Sequence, residues 1–287
     1  MPSEQIQWFP GHMAKTRRMI TENLKNVDVV IEILDARIPK SSRNPDIASM
    51  TAQKPTILLL NKATLADPAM TKAWCEHYSS SNTICITTDC VSGLGINKIK
   101  EAVNTVLSDK IARYEAKGMT GRKLKAMIVG IPNVGKSSLI NKICGSKKAK
   151  VENRPGVTVD KQWVSTNIGI DLMDMPGVLW PKFDDRIIGE NLALTGAIKD
   201  KILDIESLAI VLCSRLRKNY PEYLCARYKL GDASAIEGLT DLQLFELIGK
   251  KRGFLISGGE IDYERTANML LEEFRSAKIG KITLDRI

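Results

Sequence analysis

The residues Gly130-Ile-Pro-Asn-Val-Gly135-Lys136-Ser137 fit the spacing GxxxxGK[ST], with an aliphatic run at Ala126–Val129 before them and a helical pattern from Lys136 onward. Strand, glycine loop and helix in that order form the context in which this spacing holds a nucleotide. The glycines let the backbone curl so that its N–H groups face phosphate oxygens at a helix N-terminus. Asn133, Val134, Gly135 and Ser138 are expected to line this cradle. Lys136 would reach the β- and γ-phosphates, and the Ser137 hydroxyl would sit on Mg²⁺. Downstream, Asp174-Met-Pro-Gly177 closes a second aliphatic run, Ile170–Met173. A carboxylate at a strand tip beside a phosphate loop can hold Mg²⁺ through water, and the Gly177 N–H can approach a γ-phosphate because no side chain intervenes. Between the two lies Pro155-Gly-Val-Thr158, whose Thr158 would complete the Mg²⁺ shell.

These loops need elements to position them. Val27–Leu34, Thr56–Leu60 and Thr83–Thr87 are β-branched and aliphatic runs typical of strands buried on both faces. A helical stretch at Pro68–Tyr78 separates the last two, and Ile96–Leu107 carries apolar residues at helical spacing. Arg113–Lys125 reads as a basic linker, and two further strands are expected near Gln162–Asn167 and Ile170–Met173. Strands alternating with helices imply an α/β fold with a mostly parallel sheet. After about Pro181 helical patterns dominate, with Thr240 and Asp262 as N-caps and Gly253 as a stop. The expected division is a nucleotide-binding domain over 1–184 and a small all-α domain over 185–287.

Composition narrows the function classes. Of the 287 residues 44% are hydrophobic and 26% charged, an ordinary globular mixture, and no apolar stretch approaches bilayer length. The N-terminus lacks a secretion pattern, and the six cysteines show no CxxC spacing, as in reduced thiols of a cytoplasmic protein. The net charge of +9 is concentrated. Residues 110–161 hold thirteen Lys and Arg against three acids, a balance of +10, so the remainder sums to −1. A basic block inside a folded domain suits a polyanion, nucleic acid before membrane, or else a solvated basic face.

Asn61-Lys62-Ala63-Thr64 follows the run TILLL, and Thr88-Asp89-Cys90 follows TICIT. Guanine-nucleotide proteins read the base at such strand ends, but their base motifs normally follow the phosphate loop, and here they precede it. With that order, the segments Trp8-Phe-Pro-Gly-His12-Met-Ala-Lys15, Asp35-Ala-Arg37-Ile-Pro39, Ser42-Arg43-Asn44-Pro45, GIPNVGKSS and DMPGVLWPK resemble the circularly permuted GTPases, and among them the bacterial ribosome-biogenesis branch. The resemblance spans essentially the whole chain. It implies a circularly permuted Ras-like P-loop domain, a C-terminal helical RNA-binding domain, GTP and GDP as ligands, Mg²⁺ as cofactor, and a role in late assembly of the large (50S) ribosomal subunit. A monomer in the cytoplasm is the expectation. Permutation is tolerable because every nucleotide loop lies at one edge of the sheet whatever order connects them.

Three positions depart from the pattern or extend it. The base motif is usually NKxD, and Thr64 stands where the carboxylate belongs, while Asp89 stands where the other base loop commonly has a small hydroxyl residue. Either the two are a reciprocal exchange, or Thr64 weakens guanine selectivity and Asp89 faces solvent. Second, Val178 and Leu179 follow DMPG, so no glutamine orients water, and the resemblance implies a catalytic group supplied from elsewhere. Of the two histidines, His77 sits in a helix, and His12 is the candidate to orient or deprotonate a water. Third, Asn133 resembles the asparagine through which some GTPases bind K⁺, and a turn asparagine is the plain alternative. The functional readings are a GTP-hydrolysing ribosome assembly factor, or a nucleotide-responsive RNA-binding module with weak hydrolysis. A small-molecule kinase fares worse, lacking any lid sequence.

Overall fold

Runs of β-branched and aliphatic residues with no polar alternation have no face to give to water, so their strands must lie inside a sheet covered on both sides. The computed structural model, which describes residues 10–145, 162–180, 183 and 185–287, shows this for Val27–Leu34 and Thr56–Leu60, whereas Thr83–Thr87 is an edge strand and mostly half-buried. In chain order its first half contains α1 (Pro10–Leu24), β1 (Val29–Asp35), α2 (Pro45–Thr51), β2 (Thr56–Asn61), α3 (Pro68–Tyr78) and β3 (Thr83–Thr87). Then follow α4 (Lys98–Val106), α5 (Ser108–Ala116), β4 (Leu124–Val129), α6 (Lys136–Cys144), β5 (Gln162–Ser165) and β6 (Ile170–Asp174). The strands form one sheet in the order β3-β2-β1-β4-β6-β5, parallel except for β5. Every residue of β1 and β2 is buried. The parallel register aligns Ile31 with Ile57 on one side and with Ile128 on the other. Asp35, Asn61, Thr87 and Val129 therefore end their strands along one edge, where the functional loops begin.

The basic stretch Arg113–Lys125 is a linker only over its centre, its two ends belonging to regular elements. Arg113 lies in α5 and Leu124 already opens β4, leaving only the short exposed segment 117–123 between them. No residue of α5 is fully buried; only Ile111 and Tyr114, three residues apart, pack against the core, and the rest of the helix is mostly polar and charged.

The remaining chain folds into α7 (Arg186–Leu194), α8 (Ile205–Asn219), α9 (Pro221–Tyr228), α10 (Ser234–Glu237), α11 (Asp241–Lys251) and α12 (Tyr263–Arg275). Thr240 caps α11 through a reciprocal capping box with Gln243, and the Asp262 carboxylate accepts from the Arg265 N–H at the start of α12. One continuous apolar cluster runs from Ile31, Ile57 and Ile128 through Leu139 of α6 to Leu212, Phe245 and Phe274. The opposite sheet face packs Val30 and Met127 against Ile20 of α1 and Ile47 of α2, and Leu58 and Leu60 against Trp74 of α3. Truncating a side chain such as the fully buried Phe274 to alanine is worth about 3–5 kcal/mol.

Residues 279–286 return across the strand-end edge. The Leu284 N–H donates to the Arg37 carbonyl at 2.7 Å and the Ile282 N–H to that of Leu65 at 3.2 Å. Asp285 accepts from the Ser41 N–H and hydroxyl, both at 2.7 Å, and from Asn191 Nδ2 at 2.8 Å. A buried carboxylate with three donors is well satisfied, and it joins the loop after β1 to α7.

Candidate active site

The phosphate loop opens where β4 ends. Gly135 adopts φ 111°, and a Cβ there would lie 2.3 Å from Asn61 Nδ2, so only glycine lets the loop pass the base-side asparagine. No side chain caps the N-terminus of α6, so the first N–H groups of the helix are open to a phosphate. Asn61 joins the parts. Its Nδ2 donates to the Val134 carbonyl at 2.7 Å, and its Oδ1 accepts from the Cys90 N–H at 3.0 Å. One side chain thus fixes the phosphate loop against both base loops.

Lys136 is 7% exposed and donates to the Gly130 and Ile131 carbonyls at 3.1 and 2.9 Å. Burial pushes its ammonium down to about 8, against the opposing pull of Asp174. Asp174 ends β6, buried, with its carboxyl raised by that burial and lowered in turn by Lys136. Its Oδ1 is buried without a hydrogen-bond partner, the arrangement a hydrated cation would satisfy. Ser137 is half-buried at the start of α6, and Ser138 follows it. The donor set therefore fits Mg²⁺ held by Ser137 and Asp174; Thr158, expected to complete it, lies outside the described residues. Gly177 closes over the loop. A Cβ there would stand 2.8 Å from Lys136 Nζ and 2.9 Å from the Pro132 nitrogen, and the Val178 N–H donates to the Gly130 carbonyl at 3.4 Å.

At the base side, Lys62 adopts a left-handed φ of 61° and its Nζ lies 3.0 Å from Asp35 Oδ2. Thr64 donates its hydroxyl hydrogen to Asp89 Oδ2. Asp89 is 3% exposed, which corrects the expectation that it faces solvent: its carboxylate is the group around which its loop turns. The Val178 and Leu179 side chains are buried, so neither presents a polar atom to a water at the γ-phosphate position. His12 falls in the first turn of α1, and its side chain lies outside the described residues. His77 is exposed and meets Trp74 edge-on at 5.3 Å, a surface packing contact.

Asn133 has φ 58° and donates Nδ2 to the Gly196 carbonyl at 2.8 Å. Turn geometry and a tie to the helical portion thus account for its amide nitrogen, and Oδ1 is the atom it could offer to a cation.

Asp35 and Arg37, which have no role legible in the sequence, form the charged centre of this edge. Arg37 grips Asp35 through Nε at 2.9 Å and Nη2 at 2.7 Å, both groups nearly fully buried. Burial alone would raise the Asp35 carboxyl, but Arg37 and then Lys62 hold it well below the usual range. Arg37 also reaches the Thr195 carbonyl at 3.4 Å and that of Arg275 at 3.5 Å. Arg275 in turn donates to the carbonyls of Leu194 and Ala193, both at 2.9 Å. The carbonyls at the end of α7 thus collect two arginines and Asn133, which suits a helix C-terminus. The signal available in advance was an acid and an arginine two residues apart at the end of an apolar strand.

The family described as 50S ribosome-binding GTPase matches residues 125–223. The chain is 46% identical over 280 residues to ribosome biogenesis GTPase A of Bacillus cereus, covering 98% of this chain and 93% of that protein. To the protein of the same name from Thermotoga maritima it is 31% identical over 283 residues, covering 98% and 94%. Among solved structures it superposes on GNP-bound YlqF from T. maritima with a TM-score of 0.60 at 26% identity, covering 95% of this chain and 98% of that one. The GDP-bound form of TM YlqF gives a TM-score of 0.62 at 26% identity, covering 94% and 99%. No helix among the described residues is long and apolar enough to cross a membrane. With this identity sustained over nearly the full length, the chain belongs to the ribosome biogenesis GTPase A family, circularly permuted in the order of its loops and a GTP hydrolase.

Proposed function

We propose that the chain is a cytoplasmic, monomeric assembly factor that binds GTP through Asn61, Lys62, Thr64, Asp89, Cys90, the loop Asn133–Ser138 and Gly177. It docks on rRNA late in maturation of the large (50S) ribosomal subunit. The observation that supports this best is a phosphate site assembled from Lys136, Asp174 and Gly177 beside Val178 and Leu179, which are buried and apolar where a water-orienting group belongs. Such a site holds nucleotide but hydrolyses it slowly until a polar group arrives, and docking is the event that brings one. Ser137, Asp174 and Thr158 would hold Mg²⁺, which would supply charge neutralisation to the phosphate chain when bound. Lys136 binds those oxygens, the α6 N-terminus orients them, and Gly177 brings its N–H to the terminal phosphate. His12, in the first turn of α1, orients the attacking water, and Asn133 would hold a K⁺ that supplies further neutralising charge.

A surface suited to RNA lies at the opposite edge of the sheet, where β1 and β4 begin and Lys110, Tyr114 and the Lys125 N–H meet Asp28. Arg113, Lys117, Arg122, Lys123 and Lys125 are exposed, Arg122 lies 4.6 Å over Tyr114, and Lys125 lies 5.5 Å from the ring of the exposed Trp163. Cations interleaved with aromatics are what a single-stranded or looped RNA backbone engages. The helical portion 185–287 forms the second contact with rRNA. Single-turnover GTP hydrolysis, with and without saturating large-subunit particles, tests the reading. Stimulation by particles that His12→Ala removes, at unchanged GTP affinity, is the expected result. Equal rates with and without particles would refute it.

A further inference from the structure

The two base loops are more tightly joined than base binding alone requires. The Thr88 N–H donates to the Leu60 carbonyl at 2.9 Å, and the Ala63 N–H to the Thr88 carbonyl at 3.1 Å. On that shared backbone the Thr64 hydroxyl hydrogen goes to Asp89 Oδ2. The other carboxylate oxygen, Asp89 Oδ1, accepts from the Val91 N–H at 2.9 Å and the Ser92 N–H at 2.8 Å, which fixes the plane of the group. We infer that Thr64 and Asp89 act together as one donor-free acceptor, split between two loops, that selects guanine by its paired N–H groups.

A threonine hydroxyl carries one hydrogen and two lone pairs, so once Asp89 takes the hydrogen, Thr64 Oγ1 can only accept. A carboxylate has about four acceptor positions, of which this one uses three, leaving one on Oδ2 beside Thr64 Oγ1. Burial pushes the Asp89 carboxyl up, but the Thr64 hydroxyl and the Val91 and Ser92 amides outweigh it and keep it ionised, hence unable to donate. Two adjacent acceptors match the N1–H and N2–H of guanine. Hypoxanthine offers one of those donors, xanthine offers one donor and opposes the other acceptor with O2, and adenine presents an acceptor at N1. Unlike a threonine free to turn its hydrogen either way, this one is held in the single orientation that rejects adenine.

The inference rests on the nucleotide-binding reading above, and competition binding to the full-length protein separates the two. With GDP, IDP, XDP and ADP as probes, the wild-type order is GDP, then IDP, then XDP and ADP. Asp89→Asn keeps the shape and the Oδ1 contacts to Val91 and Ser92, but its Nδ2 donates to Thr64 and frees the threonine hydrogen for a ligand acceptor. The GDP-to-XDP affinity ratio should then fall by roughly tenfold or more, as for one hydrogen bond replaced by a mismatch. Thr64→Val should lower GDP affinity by a similar factor, and Thr64→Ser should keep the wild-type order. Thr64→Asp places two acids in contact and should weaken GDP, whereas Thr64→Asp combined with Asp89→Ser should restore it. GDP binding with the same base order in the wild type, Asp89→Asn and Thr64→Val overturns the inference alone. A wild-type chain that binds none of the four overturns the nucleotide reading and this inference with it.

Discussion

The buried ammonium of Lys136 makes nucleotide affinity a function of pH in a window where a surface lysine would not titrate. Burial among the Gly130 and Ile131 carbonyls pushes the group down to about 8 from an ordinary 10.5. A bound diphosphate brings negative oxygens to that nitrogen and restores its proton. Binding must therefore take up protons, about half a proton per nucleotide at pH 8, and the affinity should follow the charged fraction of Lys136. That fraction is about nine-tenths at pH 7 and about one-tenth at pH 9, so GDP affinity should drop roughly tenfold across the interval. Isothermal titration calorimetry at pH 8 in two buffers of different ionisation enthalpy reads the proton uptake directly, and a pH series reads the affinity. Lys136→Arg carries a charge that does not titrate here, so its residual pH dependence reports what the nucleotide itself contributes. Zero proton uptake at pH 8 with an affinity flat from pH 7 to 9 would refute the premise that Lys136 gives up its proton before nucleotide arrives.

Glu32, 1% exposed in the middle of β1 with neither oxygen hydrogen-bonded, has its carboxyl pushed up to about 7 by burial, against the opposing charge of Arg43. Its contribution to stability is full below pH 4.5 and is lost as pH rises to about 7, a change of about 3 kcal/mol. Urea unfolding should show Glu32→Gln gaining on the wild type over that range and levelling off above it; a constant difference would count against this. Asp285→Ala deletes the acceptor for both Ser41 groups and Asn191 and should cost about 3 kcal/mol in the same assay. Gly177→Ala should displace Lys136 and the Pro132 backbone and lower GTP turnover by roughly 10²-fold, with near-wild-type turnover speaking against the close approach.

Much of this architecture is legible in local pattern. The strands β1 and β2 stand out because fully buried strands leave long aliphatic runs, the half-buried edge strand β3 because it is rich in β-branched residues, and the phosphate loop because its spacing is set by contacts within eight residues. What stays hidden depends on partners far away in the chain. Asp89 reads as a polar residue at a strand end, and only the neighbouring loop shows that it is buried and bound to Thr64. Arg37 reads as a surface charge until Asp35, Thr195 and Arg275 surround it. The helix α5 is concealed for another reason: its apolar side is only Ile111 and Tyr114, too narrow to stand out beside basic residues that look like linker. The segment 279–286 has too little periodicity to announce itself, since its order comes from backbone bonds to Leu65 and Arg37.

The strand order also has a consequence for how the protein is made. As the chain leaves the ribosome, β1, β2 and β3 emerge first and can pair as three parallel neighbours, with Asn61, Thr64 and Asp89 at their ends. The flank of β1 that will receive β4 then stands open, its Val29–Glu32 backbone waiting for Ala126–Val129. An unpaired apolar edge of this kind invites pairing with another nascent chain. Synthesis of the intervening residues is thus a vulnerable interval, and slowing translation between β3 and β4 should raise aggregation more than slowing it after β6. The permuted chain acquires the loops that choose the base before it has the loop that grips the phosphates.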